Sequence, residues 1–293
     1  MAASKGTLIR IRGLLPSLHP AERRVAEAVL ADPGGVATTS ITALARAGDT
    51  SEATVVRFCR TAGFSGYPEL RLALAVEAGR NEASGERLVG TDVERSDTLE
   101  QIIGKIVTAD ERAIRDTAES LDRAALAEVV EAVGSARRID LFGVGTSGLV
   151  IADLGLKLRR IGRMAFAWSD VREALSAAAL MSEQDVAIGV SYTGATSDTV
   201  DALAEAKRQG ATTVAITNFV RSPITREADH VLTTASSETT FRVGATASHH
   251  AQLTVVDILF VAVAQRSYDD TLRALEATFD AVGRRGYGDS RSS

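Results

Sequence analysis

Two short stretches of this 293-residue chain set hydroxyls among glycines directly after apolar runs. Gly143-Val144-Gly145-Thr146-Ser147-Gly148 follows Ile139–Phe142, and Ser191-Tyr192-Thr193-Gly194-Ala195-Thr196 follows Val186–Val190. Each stretch runs into a segment of helical periodicity. Glycine lets the backbone turn sharply and approach a ligand. The helix N-terminus that follows offers unpaired N–H groups and a partial positive charge, and Ser and Thr add donors. That chemistry suits an anion, which makes Gly145, Thr146, Ser147, Ser191, Thr193, Gly194 and Thr196 candidate ligands. Neither stretch contains the lysine of a triphosphate loop, so a monophosphate is favoured. Dinucleotide binding is disfavoured: the third glycine falls at 148 instead of 149, and only Asp170 stands where a ribose-binding acid belongs. No cofactor or metal is expected.

A second chemistry lies near the N-terminus. Ser51 opens a helix running to about Ala62, behind the tight break Gly48-Asp49-Thr50 and a short helix carrying Ile41, Leu44 and Ala45 that Ser40 can cap. Two short helices joined by such a turn match the helix-turn-helix unit, whose second helix enters the major groove. At about 100° per residue, Val55, Cys59 and Ala62 share one side with Phe58 beside them. Ala53, Arg57, Arg60 and Thr61 fall opposite, with Thr54 at the edge. Arg57 can bond a guanine edge in bidentate fashion, a threonine can meet a thymine methyl or a phosphate, and Ser51 places its hydroxyl where a DNA phosphate would lie. Ser51, Ala53, Thr54, Arg57, Arg60 and Thr61 are the candidate DNA-binding residues.

The elements that must position these groups separate into two domains. Residues 7–79 read as closely spaced helices. Pro20 starts one that Asp32-Pro33-Gly34-Gly35 stops, Gly63 and Gly66-Tyr67-Pro68 end the helix from Ser51, and 69–78 form another. Residues 81–97 are polar and aperiodic, a linker. Helices at 98–120 and 122–135 lead into apolar runs at 139–142, 165–168, 186–190, 213–217 and 230–233, most of them separated by helices at 148–161, 171–180 and 196–209. Strands alternating with helices imply a five-stranded parallel sheet covered on both faces. Helices at 249–266 and 269–282 follow, and the tail is expected to be disordered. The expected organisation is therefore an all-α head (1–80), a linker (81–97), a three-layer α/β body (98–284) and a tail (285–293).

Composition agrees with two soluble domains. Net charge is −5, but residues 1–80 carry ten basic and seven acidic residues against 23 and 31 in the remainder. A mildly basic head on an acidic body is the asymmetry expected when one domain meets phosphate. A single cysteine excludes an intrachain disulfide. The N-terminus lacks a secretory signal pattern and no apolar run approaches about 18 residues, so a cytoplasmic protein without a membrane partner is expected.

The same residues carry a resemblance. SYTGAT is similar to the S-x-[ST]-G-x-T signature of the SIS (sugar isomerase) domain, and FGVGTSG to its first glycine turn; GLVIADLGLKLRRIG and ETTFRVGATASHHAQLTVVDILF extend the match. TSEATVVRFCRTAGFSGYPELR resembles the DNA-binding segment of RpiR-type regulators, which join such a head to a SIS body. The resemblance implies that Ser147, Ser191, Thr193 and Thr196 hold a sugar phosphate, with backbone from Thr146 and Gly194, and that Ser51 to Arg60 form the recognition helix. Thr193 stands where many relatives have Ser, and keeps the hydroxyl. It implies a homodimer or homotetramer through the SIS domain. The expected protein is a regulator of carbohydrate metabolism, by expectation a repressor, whose partners are operator DNA and a phosphorylated sugar. SIS domains also occur in aldose–ketose isomerases, which need a positioned base and a second acid–base group. The Glu238 region resembles the part that carries the isomerase glutamate, and His249 or His250 can supply the second group. Against an attached DNA-reading head, Glu238 and His249 are assigned to ligand binding and the protein is expected not to be an enzyme.

Overall fold

The computed structural model describes residues 6–83, 93–236 and 247–286. They form two compact units, one comprising residues up to Leu121 with 218–222 and 233–251, the other 122–217, 223–232 and the chain from Gln252 onward.

The first unit is helical: α1 (Thr7–Leu14), α2 (Pro20–Ala31), α3 (Pro33–Thr38), α4 (Ile41–Ala47), α5 (Glu52–Thr61), α6 (Tyr67–Ala83) and α7 (Leu99–Ser120). Side chains set many of the boundaries. Ser40 accepts from Ala43 N–H and Ser51 from Thr54 N–H, while Thr98 and Gln101 form a reciprocal capping box. Ile11, Val25, Val29, Leu44, Phe58 and Leu74 are buried in one apolar cluster. Three boundaries differ from expectation. Asp32-Pro33-Gly34-Gly35 ends α2 but also begins α3, because Pro33 has no N–H to lose in a first turn and Asp32 accepts from Gly35 N–H at 2.8 Å. Tyr67 and Pro68 open α6 instead of only ending α5, and Tyr67 Oη donates towards the carbonyls of Val36 and Thr39. Helix α6 continues to Ala83, and α7 groups with this unit rather than with the α/β body.

The second unit holds α8 (Arg123–Ser135), β1 (Arg138–Phe142), α9 (Thr146–Arg160), β2 (Ala165–Trp168), α10 (Val171–Ala178), β3 (Asp185–Val190), α11 (Ser197–Arg208), β4 (Thr212–Thr217), α12 (Pro223–Arg226) and most of β5 (His230–Thr233). The strands form a five-stranded sheet in the order β2-β1-β3-β4-β5, with β1 parallel to β2 and β3, and β3 parallel to β4. Every residue of β3 is buried, as a central parallel strand requires. Helices α10 and α11 pack on the face of Phe142, Ala187 and Ala215. Gly155 of α9 lies against Leu141 on the other face. Lys157 of α9 pairs with Asp257 of α13 (Ala247–Arg266), and Arg266 with Glu131 of α8. This is the three-layer α/β arrangement expected, with the last helix, α14 (Tyr268–Gly286), running past the expected start of the tail. Helix α13 has the length and apolarity of a membrane span, but Val255, Val256, Leu259 and Val263 are buried core residues.

Candidate functional site

The sheet changes direction between β1 and β3: β1 passes through α9 to β2 on one side, while β3 leads through α11 to β4 on the other. Open α/β sheets leave a crevice at such a point, beyond the carboxyl ends of the strands. Phe142 pairs with Gly189, so β1 and β3 end almost level and both hydroxyl-rich turns leave the same edge. The first turn lies against the end of β3. A Cβ at Gly143 would lie 3.1 Å from the Ser147 carbonyl and 3.2 Å from that of Val190. Gly145 and Gly194 take φ of 59° and 63°, which a side chain would strain.

Two neighbouring helices of this unit are capped by carboxylates. Asp122 caps α8 and Asp170 caps α10, accepting from Arg172 and Glu173 N–H at 2.9 and 3.1 Å. Asp170, the one acid placed to hold a ribose, is thus occupied as a cap. Helices α9 and α11 begin at Gly145 and Thr196 with no side-chain cap. Both helix N-termini point their positive ends into this edge of the sheet without a carboxylate cap.

The hydroxyls divide into three settings. Ser191, buried, lies 3.1 Å from Thr196 Oγ1 and accepts from Gly194 N–H at 3.1 Å. Thr193 is exposed, its Oγ1 accepting from Ala195 N–H at 3.2 Å. Ser147, 9% exposed in the first turn of α9, donates to Gln252 Oε1 of α13 at 3.2 Å. Thr146 is partly buried. Glu238 lies outside the described residues. His249 is half-buried and belongs to the first unit, its ring 6.0 Å from that of His250, whose Nδ1 is 3.4 Å from the Asp110 carboxylate. Gln252 escaped the sequence reasoning. It was visible as the one amide on the buried stripe of α13, three, four and seven residues before Val255, Val256 and Leu259.

In the head, α4 and α5 enclose the turn at Gly48-Asp49-Thr50, where Asp49 has φ of 45°. Arg24 of α2 donates to the carbonyls of Gly48 (3.0 Å) and Asp49 (2.9 Å), and a Cβ at Gly48 would lie 3.2 Å from the backbone of Val25. Val55, Phe58, Cys59 and Ala62 are buried, while Ser51, Ala53, Arg57 and Arg60 are exposed and Thr61 is partly so. Thr54 departs from the expected outward face. It is 6% exposed, its hydroxyl covered by Ser51 Oγ at 3.1 Å and by Arg57 Nη2, which donates to it at 3.4 Å. Arg57 Nε donates to the buried carboxylate of Glu22 at 3.1 Å, leaving the guanidinium tip outward.

A helix-turn-helix head and a parallel sheet with paired glycine turns at its switch point define a two-domain regulator of transcription. Residues 5–81 match the helix-turn-helix domain of the rpiR family, and residues 133–262 match the SIS domain. The chain is 40% identical over 92% of its length to an HTH-type transcriptional regulator of Caldanaerobacter subterraneus subsp. tengcongensis, covering 94% of that protein. It is 36% identical to another of Haemophilus influenzae, over 95% of this chain and 96% of that one. Among solved structures it is similar to the Vibrio vulnificus NanR protein complexed with ManNAc-6P (TM-score 0.58, 31% identity, 94% of this chain and 98% of that one). It is also similar to the sugar isomerase domain of an RpiR transcription factor from Sphaerobacter thermophilus (TM-score 0.56, 29% identity, 61% and 99%). The chain belongs to the rpiR family of helix-turn-helix transcriptional regulators that carry a SIS domain.

Proposed function

We propose that this regulator is a cytoplasmic repressor of carbohydrate metabolism whose operator affinity is set by a sugar phosphate bound at the β1–β3 switch point. The head (1–80) reads DNA through Ser51, Ala53, Arg57, Arg60 and Thr61, with Thr54 acting from beneath by holding Ser51. The SIS body holds the phosphoryl group through Gly145, Thr146, Ser147, Ser191, Thr193, Gly194 and Thr196, and Glu238 and His249 serve the sugar. The observation that carries this reading is the Ser191–Thr196 hydroxyl pair, 3.1 Å apart at the mouth of α11, a helix with no side-chain cap. A relative of 31% identity, complexed with ManNAc-6P, supports the ligand class. The protein acts as a homodimer or homotetramer through its SIS domain. It is a sensor and not an isomerase, in keeping with relatives that are regulators. Appreciable aldose–ketose phosphate interconversion that Glu238→Gln abolishes would overturn that point.

The test is a double dissociation on full-length protein, using a duplex selected from a random library and a panel of sugar phosphates that includes ManNAc-6P. Ser191→Ala with Thr196→Ala is expected to remove sugar-phosphate binding and keep DNA binding. Arg57→Ala is expected to do the reverse. Loss of both activities in both folded variants contradicts the division of labour.

A further inference from the structure

We propose that Gln252 is an additional ligand-binding residue whose amide nitrogen donates to a phosphoryl oxygen of the bound sugar phosphate; the proposal rests on the phosphate site inferred above. Gln252 is 1% exposed on the buried stripe of α13. Its Oε1 accepts from Ser147 Oγ at 3.2 Å, and its Nε2 is buried with no hydrogen-bond partner among the described residues. Leaving a buried donor unpaired costs free energy, and an apolar residue of the same shape would avoid that cost. The orphan nitrogen therefore points to an acceptor that arrives from outside.

The location says which acceptor. Ser147 stands in the first turn of α9, whose cap, Gly145, supplies no side-chain oxygen to the first N–H groups. An anionic oxygen there meets the positive end of the helix and accepts from the amide together. The orientation of the carboxamide is chemically consistent. With Oε1 turned to the Ser147 hydroxyl, both Nε2 protons are available to an anion. The reversed amide would aim lone pairs at it. The arrangement also assigns Ser147 a role: its hydroxyl holds Gln252, and its contribution to the phosphate is made by its main-chain N–H and through the amide.

Two variants of the full-length protein test this by titration calorimetry with ManNAc-6P, other hexosamine and hexose 6-phosphates, and inorganic phosphate. Gln252→Glu keeps the shape and the acceptor for Ser147 but replaces the donor with a carboxylate. Gln252→Met keeps the length and removes every polar atom. Both are expected to weaken sugar phosphate and inorganic phosphate by the same factor, about 10- to 100-fold. Gln252→Met should leave the melting temperature of ligand-free protein within a few degrees of wild type, since it also removes an unpaired donor. A merely structural role predicts the opposite: a lower melting temperature and unchanged affinity. Unchanged affinity in both variants, with binding lost in Ser191→Ala/Thr196→Ala, overturns the assignment of Gln252 alone. Weakening of sugar phosphates only overturns the phosphoryl contact. Wild-type protein that binds no probe overturns the site and Gln252 with it.

Discussion

Arg57 is held before any DNA arrives. Its Nε donates to Glu22, whose carboxylate is buried, and its Nη2 donates to Thr54 Oγ1 at 3.4 Å, which together fix the side chain while the residue stays exposed. A pre-set guanidinium loses less freedom when it meets a base. The same contact makes Arg57→Ala costly in stability, because it strands a buried carboxylate; a loss of about 1–3 kcal/mol is expected in urea unfolding. Adding Glu22→Gln to Arg57→Ala should recover much of that stability without restoring DNA affinity. Recovery of DNA binding in the double variant would show that Arg57 acts only through the fold. Cys59, on the dry side of the same helix, is a core residue. Burial pushes its thiol up to about 11, so at pH 8 the thiolate is scarce. The native protein should resist a thiol reagent at that pH and react once per chain when unfolded.

At the scale of elements, the capped start of α10 and the uncapped start of α11 differ in what their first residues do. Asp170→Ala is expected to cost about 1 kcal/mol, because Asp170 holds two N–H groups at the start of α10. Thr196→Ala removes no cap and should change stability far less than ligand affinity. At the opposite edge of the sheet, burial would raise the Asp185 carboxyl. Hydrogen bonds from Arg137 and from the hydroxyl and N–H of Ser182 outweigh it and hold the group below its ordinary value. A lowered folded pKa stabilises the protein above the unfolded carboxyl pKa of about 3.9, and the gain is lost as pH falls through the folded value. Arg137→Met should therefore destabilise the protein at pH 7, and only modestly, because the guanidinium is half-exposed and screened by solvent. The deficit should shrink at pH 3 and below; an equal deficit at both would assign the effect to packing.

The strands and most helices were legible in the sequence because their apolar spacing and their caps are local signals. The helix Pro33–Thr38 was not, since its proline and two glycines read as a stop while its reason to exist, the packing of Val36 and the reach of Tyr67, is tertiary. Thr54 differs for a similar reason: angular position puts it at the edge of the outward face, and the side chains of Ser51 and Arg57 cover its hydroxyl. Both glycine turns were legible as anion-binding chemistry. Their adjacency needed the strand order, and Gln252 needed a neighbour 105 residues away.

At the scale of the molecule, apolar side chains remain exposed along α9, with Leu149 and Leu156 at 64% and 55%. They stand seven residues apart, on one helical stripe, as a self-association surface requires. If the proposed oligomer forms along this stripe, Leu149→Glu with Leu156→Glu should lower the mass measured by light scattering to that of one chain; an unchanged mass contradicts a contact along α9. The excess of basic residues in the first 80 positions predicts DNA binding that weakens steeply with salt. Regulation requires the ligand to bind the DNA-competent and incompetent states unequally, typically by about 1–3 kcal/mol.

That inequality is measured by fluorescence anisotropy of a selected operator duplex titrated with full-length protein, without and with a saturating sugar phosphate. The midpoint is expected to move by about 5- to 150-fold in wild type and to stay fixed in Ser191→Ala/Thr196→Ala. An unmoved midpoint in wild-type protein whose sugar site is shown by calorimetry to be filled would contradict a metabolite-controlled regulator.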